Sequence, residues 1–109
     1  MSYREVLIEK YLTERSISFK RQYTFPDLRG KRYPLRFDFA VFDDEDNLRC
    51  LIEYQGEQHF RNIFQVPDDE YQKALARDEA KREYCKVHDI PLFELSNEEN
   101  IEQELRNLL

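Results

Sequence analysis

Residues 36–60 read RFDFAVFDDEDNLRCLIEYQGEQHF, and the fold turns on how this stretch pairs with itself. Leu35, Phe37, Phe39 and Val41 alternate with Arg36, Asp38 and Ala40; further on, Leu48, Cys50, Ile52 and Tyr54 alternate with Arg49, Leu51, Glu53 and Gln55. A period of two sends successive side chains to opposite faces of a strand, so both arms read as strands with a mainly apolar face. The acidic run Asp43 to Asn47 between them cannot pack a core and is rich in turn formers. A hairpin centred there pairs residues whose numbers sum to about 91 and sets Asp38 opposite Glu53. Two carboxylates facing each other across a ladder cost roughly 0.2–1 kcal/mol, more when desolvated. A divalent cation between them would neutralise that cost, so the face carrying Asp38, Glu53 and Gln55 reads as a metal site.

The rest of the chain must supply what a lone hairpin lacks, since two strands are marginal in water. With 109 residues, 40% hydrophobic content, seven Tyr and eight Phe, the chain suffices for a single domain, 1–109, with one small core and room for two layers at most. No apolar run approaches the ~20 residues of a membrane span. The first residues, MSYREVLIEKYL, carry charges where a signal peptide needs an apolar stretch, so the expectation is a cytoplasmic protein with no membrane partner. Two cysteines without a CxxC pattern predict free thiols. The net charge of −6 argues against a protein that coats nucleic acid nonspecifically but leaves room for a local basic surface.

Working outward from the hairpin, Ser2-Tyr3-Arg4-Glu5 is a capping-box pattern that opens a helix to about Arg15, with Leu7, Ile8, Tyr11 and Leu12 on one arc and Glu5 at its edge. Ser18 to Phe25 reads as a strand and Pro26 to Pro34 as a basic loop. Gly56 to Pro67 has no periodicity. A second helix is predicted from about Asp69 to Val87, its inward stripe formed by Tyr71, Ala74, Leu75 and Cys85 with Asp78 in the middle. An Asp in an apolar stripe is costly enough to call for a partner. Ile90 to Leu95 makes a last strand, and the capping box Ser96-Asn97-Glu98-Glu99 opens a final helix through Ile101, Leu105 and Leu108. The predicted order is α-β-β-β-α-β-α: an α/β fold, a short mixed sheet with a central hairpin flanked by helices.

Asp38 followed by Glu53-Tyr54-Gln55 on the neighbouring strand, between a preceding and a following helix, resembles the PD-(D/E)xK nuclease superfamily. The combination FDF, IEYQGEQHF and RDEAKREYCKVHDIPLFEL is similar to small phage-type endonucleases related to very-short-patch-repair and EDxHD homing enzymes. Those families add a Glu on the first helix, a His just after the second hairpin strand and an Asp on the following helix, which fall here on Glu5, His59 and Asp78. Two positions depart from the pattern: Phe37 stands where Pro precedes the Asp, and Gln55 stands where Lys is usual.

This resemblance implies a restriction-endonuclease-like fold and a Mg²⁺-dependent DNA endonuclease, with Mn²⁺ able to substitute. Asp38, Glu53 and the carbonyl of Tyr54 would hold the metal, which polarises the scissile phosphate and activates a water. Gln55 would orient that water, His59 would act as general base or protonate the leaving oxygen, and Glu5 and Asp78 would align it or hold a second metal. Arg29, Lys31, Arg32 and Arg36, joined by Lys20 or Arg21, supply a basic lip for DNA, with Tyr33 able to stack on a base or sugar. A homodimer or a larger targeting partner fits an enzyme of this size, in a bacterial or phage-infected cell. The alternative is a catalytically inactive module of the same fold that binds DNA or a protein partner, which Gln55 favours. Plainer readings exist for single residues: Glu5 as a helix cap, Asp78 paired with Arg82 or Arg77, His59 as a loop histidine, and the basic run as a solvated surface.

Overall fold

The computed structural model describes residues 3–55, 68–96 and 100–109. Seven elements follow the predicted order: α1 (Tyr3–Glu14), β1 (Ser18–Arg29), β2 (Pro34–Phe42), β3 (Leu48–Tyr54), α2 (Asp68–Val87), β4 (Leu92–Leu95) and α3 (Ile101–Leu108). The strands form one sheet in the order β1-β2-β3-β4, with β4 parallel to β3 and the other pairs antiparallel. The sheet is therefore mixed.

The acidic turn fixes the central hairpin. Asp43 Oδ1 accepts hydrogen bonds from the N–H groups of Glu45 and Asn47, each at 2.9 Å, and Asp46 takes φ 66, a conformation Asp tolerates. Phe39 then pairs with Ile52, Ala40 with Leu51 and Val41 with Cys50, which is the predicted register.

Helices cover both faces of the sheet, so the layers number three where two were expected. On one face, Ile8, Tyr11 and Leu12 of α1 and Ile101 and Leu105 of α3 meet Phe39, Val41, Cys50, Ile52 and Leu95. On the other, Cys85 and Tyr84 of α2 meet Phe37, Ala40, Phe42 and Leu51. The third layer is thin, and so it fits: Cys85 is buried, whereas Leu75 of the predicted stripe is 36% exposed and Tyr71 and Ala74 are half-buried. The free thiols, Cys50 and Cys85, lie in different clusters. No described helix is long and apolar enough to cross a membrane.

Two further expectations change. The apolar face read across Leu35, Phe37, Phe39 and Val41 is split, since Leu35 and Phe37 belong to the α2 side and Phe39 and Val41 to the α1 side. The switch falls where the β1–β2 ladder passes from Arg21↔Phe39 to Tyr23↔Phe37, and Gln22 between them has φ 52. A left-handed residue breaks the alternation of a strand, and both strands change face together: the Arg21 guanidinium lies over the Phe39 ring, while Tyr23 packs edge-on against Phe42. The second correction is that β1 runs on through Pro26 to Arg29, leaving only Gly30–Tyr33 as the turn. As an edge strand, β1 can hold a proline without losing an interior ladder bond. The β1–β2 ribbon thus projects past β3, and Phe25 against Tyr84, at 5.0 Å, and the Tyr84 hydroxyl on Asp27 Oδ1, at 2.8 Å, brace it on α2.

Candidate metal centre

Asp38 lies at the step where β1 and β2 change face, and continuing the β2–β3 register one residue past Phe39↔Ile52 sets it against Glu53. Its Oδ2 accepts the backbone N–H of Tyr54 at 2.8 Å, which ties β2 to the end of β3. Glu53 is 6% exposed, the single charged residue among the buried side chains described. Burial first, and the neighbouring Asp38 second, push its carboxyl up to about 7. Burial likewise raises Asp38, opposed by the Tyr54 N–H and reinforced by the nearby charge of Glu5. Both shifts run toward the protonated form, as expected where two carboxyls crowd one part-buried site.

Lys81 on α2 completes the cluster. Its Nζ lies 2.6 Å from Glu53 Oε1 and 5.4 Å from the centre of the Phe37 ring, and its side chain is 14% exposed. This residue was missed in the sequence, although its spacing gave a signal: Asp78, Lys81 and Cys85 follow at i, i+3 and i+7, which is one helical face, and Cys85 is buried.

The predicted site residues divide as follows. Glu5 comes to the cluster, close enough to raise Asp38, and its Oε2 accepts from Arg21 Nη2 at 2.9 Å. That ion pair crosses from α1 to β1, which a helix cap alone would not require. Asp78 is half-buried on α2, one turn before Lys81, and its charge acts on Arg82. Gln55 Nε2 donates to Glu94 Oε1 at 2.9 Å, and Arg82 Nε forks onto both oxygens of Glu94 at 3.0 Å. His59 lies outside the described residues, as do Gly56 to Pro67. Arg29, Lys31, Arg32 and Arg36 are exposed on the projecting ribbon, and Tyr33 is 75% exposed.

Among the described residues no group of three or more His, Cys, Asp or Glu side chains is placed to hold a metal ion. The oxygen donors at hand are the Asp38 and Glu53 carboxylates beside the Tyr54 main chain. Such a pair suits Mg²⁺, which keeps several waters and takes one or two carboxylates, better than Ca²⁺, which needs six to eight oxygens. No family model matches the chain, and no curated protein or solved structure matches it either.

Proposed function

We propose that the protein is a Mg²⁺-dependent DNA endonuclease, with Mn²⁺ able to substitute, built on a restriction-endonuclease-like PD-(D/E)xK core. The observation that carries this reading is the pairing of buried Glu53 with half-buried Asp38. A sheet gains nothing from placing Asp38 where its charge raises the proton affinity of a buried Glu53, and burying charge is tolerated only with a counter-charge. In the absence of metal, the Lys81 ammonium provides that counter-charge. Mg²⁺ bound by Asp38, Glu53 and the Tyr54 carbonyl would supply Lewis-acid polarisation of a phosphate. Released from Glu53, Lys81 would then lie beside the reacting group and stabilise its charge, a role the sequence pattern gave to the position of Gln55. Glu5 is held by Arg21 at the α1 side of the pair, and His59 and Asp78 keep the proton-transfer and aligning roles implied by the resemblance. DNA would follow the basic ribbon.

Incubation of supercoiled plasmid with the purified protein, with and without Mn²⁺, tests the reading. The expected result is metal-dependent nicking or linearisation that Asp38→Ala and Glu53→Ala each abolish. The second reading, an inactive module binding DNA or a protein, is favoured by the engagement of Gln55 with Glu94 and predicts DNA binding with neither cleavage nor calorimetric heat from Mn²⁺.

A further inference from the structure

The β1–β2 ribbon has the form of a groove-reading element, and we propose that it enters the major groove of duplex DNA with the Gly30–Tyr33 turn leading. This rests on the proposed DNA-directed function but names a substrate class, duplex over single strand, that the catalytic cluster does not determine.

Three observations converge on it. The first is charge: residues 23–37 contain Arg29, Lys31, Arg32 and Arg36 against a single acid, Asp27, in a chain of net charge −6. Asp27 is engaged by the Tyr84 hydroxyl, and among the described residues no carboxylate pairs with the four cations. The second is rigidity. Leu28 and Leu35 are each 7% exposed, Phe25 packs on Phe37 and Tyr84, and Gly30 N–H closes the turn on the Tyr33 carbonyl at 2.8 Å. A Cβ at Gly30 would come within 3.2 Å of Leu35 Cδ2, so the turn is close-packed as well as tight. A braced element loses little freedom on binding.

The third observation is size. Two strands about 4.8 Å apart with their side chains suit the ~12 Å major groove and exceed the ~6 Å minor groove. Arginines at the rim can contact phosphates while Lys31, Arg32 and Tyr33 reach base edges at the tip. Pro34 lies four positions before Asp38, roughly 13 Å at strand rise, so the groove contact should fall about four base pairs from the phosphate at the metal cluster.

The test is fluorescence anisotropy with a labelled 20-base-pair duplex and its separate strands, in EDTA, so that binding is read without metal or cleavage. The duplex should bind at least tenfold tighter than either strand. The triple variant Arg29→Ala, Lys31→Ala, Arg32→Ala should weaken duplex binding and reduce the salt slope by up to about 0.9 per lost phosphate contact. Tyr33→Ala, at a 75% exposed position outside the core, should weaken binding at unchanged melting temperature. Methyl green, which occupies the major groove, should compete, and distamycin, which occupies the minor groove, should not. Equal or tighter binding of single strands, competition by distamycin alone, or an unchanged affinity of the triple variant would each overturn the proposal. A protein that cuts plasmid yet shows one of these results loses the groove assignment alone. One that binds duplex through the ribbon but never cuts loses the nuclease reading alone.

Discussion

Lys81 and Asp38 make opposite demands on the same carboxylate, and substitutions at each should separate them. A divalent cation at Glu53 must displace the ammonium that already sits 2.6 Å away. Lys81→Met keeps an unbranched side chain of similar length beside Phe37 and removes the competitor, so it should bind Mn²⁺ more tightly, by about tenfold or 1.4 kcal/mol, in calorimetry. Weaker binding would show that the ammonium positions the ligands instead. Asp38→Asn retains an oxygen for the Tyr54 N–H but removes the repulsion on Glu53, and should raise the metal-free stability at pH 8 by roughly 1 kcal/mol in urea titration. A lower stability at pH 8 would mean the Asp38 charge itself is structural. How legible these residues are depends on their periodicity. Asp38 and Glu53 stand out because the acidic turn sets a register whose continuation past Phe39↔Ile52 brings them together. Lys81 is hard to find in the sequence because α2 is charged around most of its circumference and its apolar members, the exposed Leu75 among them, do not mark the inward face. The hydrogen bond from Gln55 to Glu94 is not legible in the sequence, because a strand's alternation tells which face a side chain takes but not which neighbour claims it.

At the scale of an element, the kink in the β1–β2 ribbon is the feature that alternation could not reveal. Leu35, Phe37, Phe39 and Val41 look like one face because a regular strand would make them so, and a single left-handed residue, Gln22, divides them. The sequence offers no glycine there to mark it. Gln22→Val should be destabilising by about 1–2 kcal/mol, since a branched Cβ is least tolerant of the left-handed region, whereas Gln22→Gly should be close to neutral. Urea titrations of both variants check this, and equal effects would refute a conformational cause. Pro26 misled in the same way, reading as the start of a loop because edge strands, where proline is permitted, are not distinguishable from central ones before the sheet order is known.

For the whole molecule, the proton affinity of the carboxylate pair becomes a pH dependence of stability. The Glu53 carboxyl is raised in the folded state, from about 4.5 to about 7, so folding favours its protonated form. The contribution is therefore fully present below about pH 4.5 and is lost as pH rises through about 7. Metal-free protein should lose roughly 1–3 kcal/mol between pH 4.5 and pH 8 from this source, and Asp38→Asn should lose less. Mn²⁺ should restore the difference at pH 8 and have little effect at pH 4.5. Because the net charge of −6 also makes the chain repel itself at high pH, the informative quantity is the gap between wild type and variant in thermal melts across that range. A gap that does not change with pH would place the titration elsewhere.

The left-handed step at Gln22 also bears on how copies of the protein meet in concentrated solution. A sheet with two open edges invites a strand from a neighbouring molecule, and growth of that kind ends in aggregates. Here one edge, β4, offers only four residues. The other, β1, is twelve residues long but is broken by the kink at Gln22 and then by Pro26, which has no N–H to give. Neither edge offers an incoming chain a long flat template. The kink beside Asp38 therefore also keeps the sheet from propagating, and Gln22→Val, by destabilising the conformation that breaks the edge, should show faster growth of light scattering on mild heating.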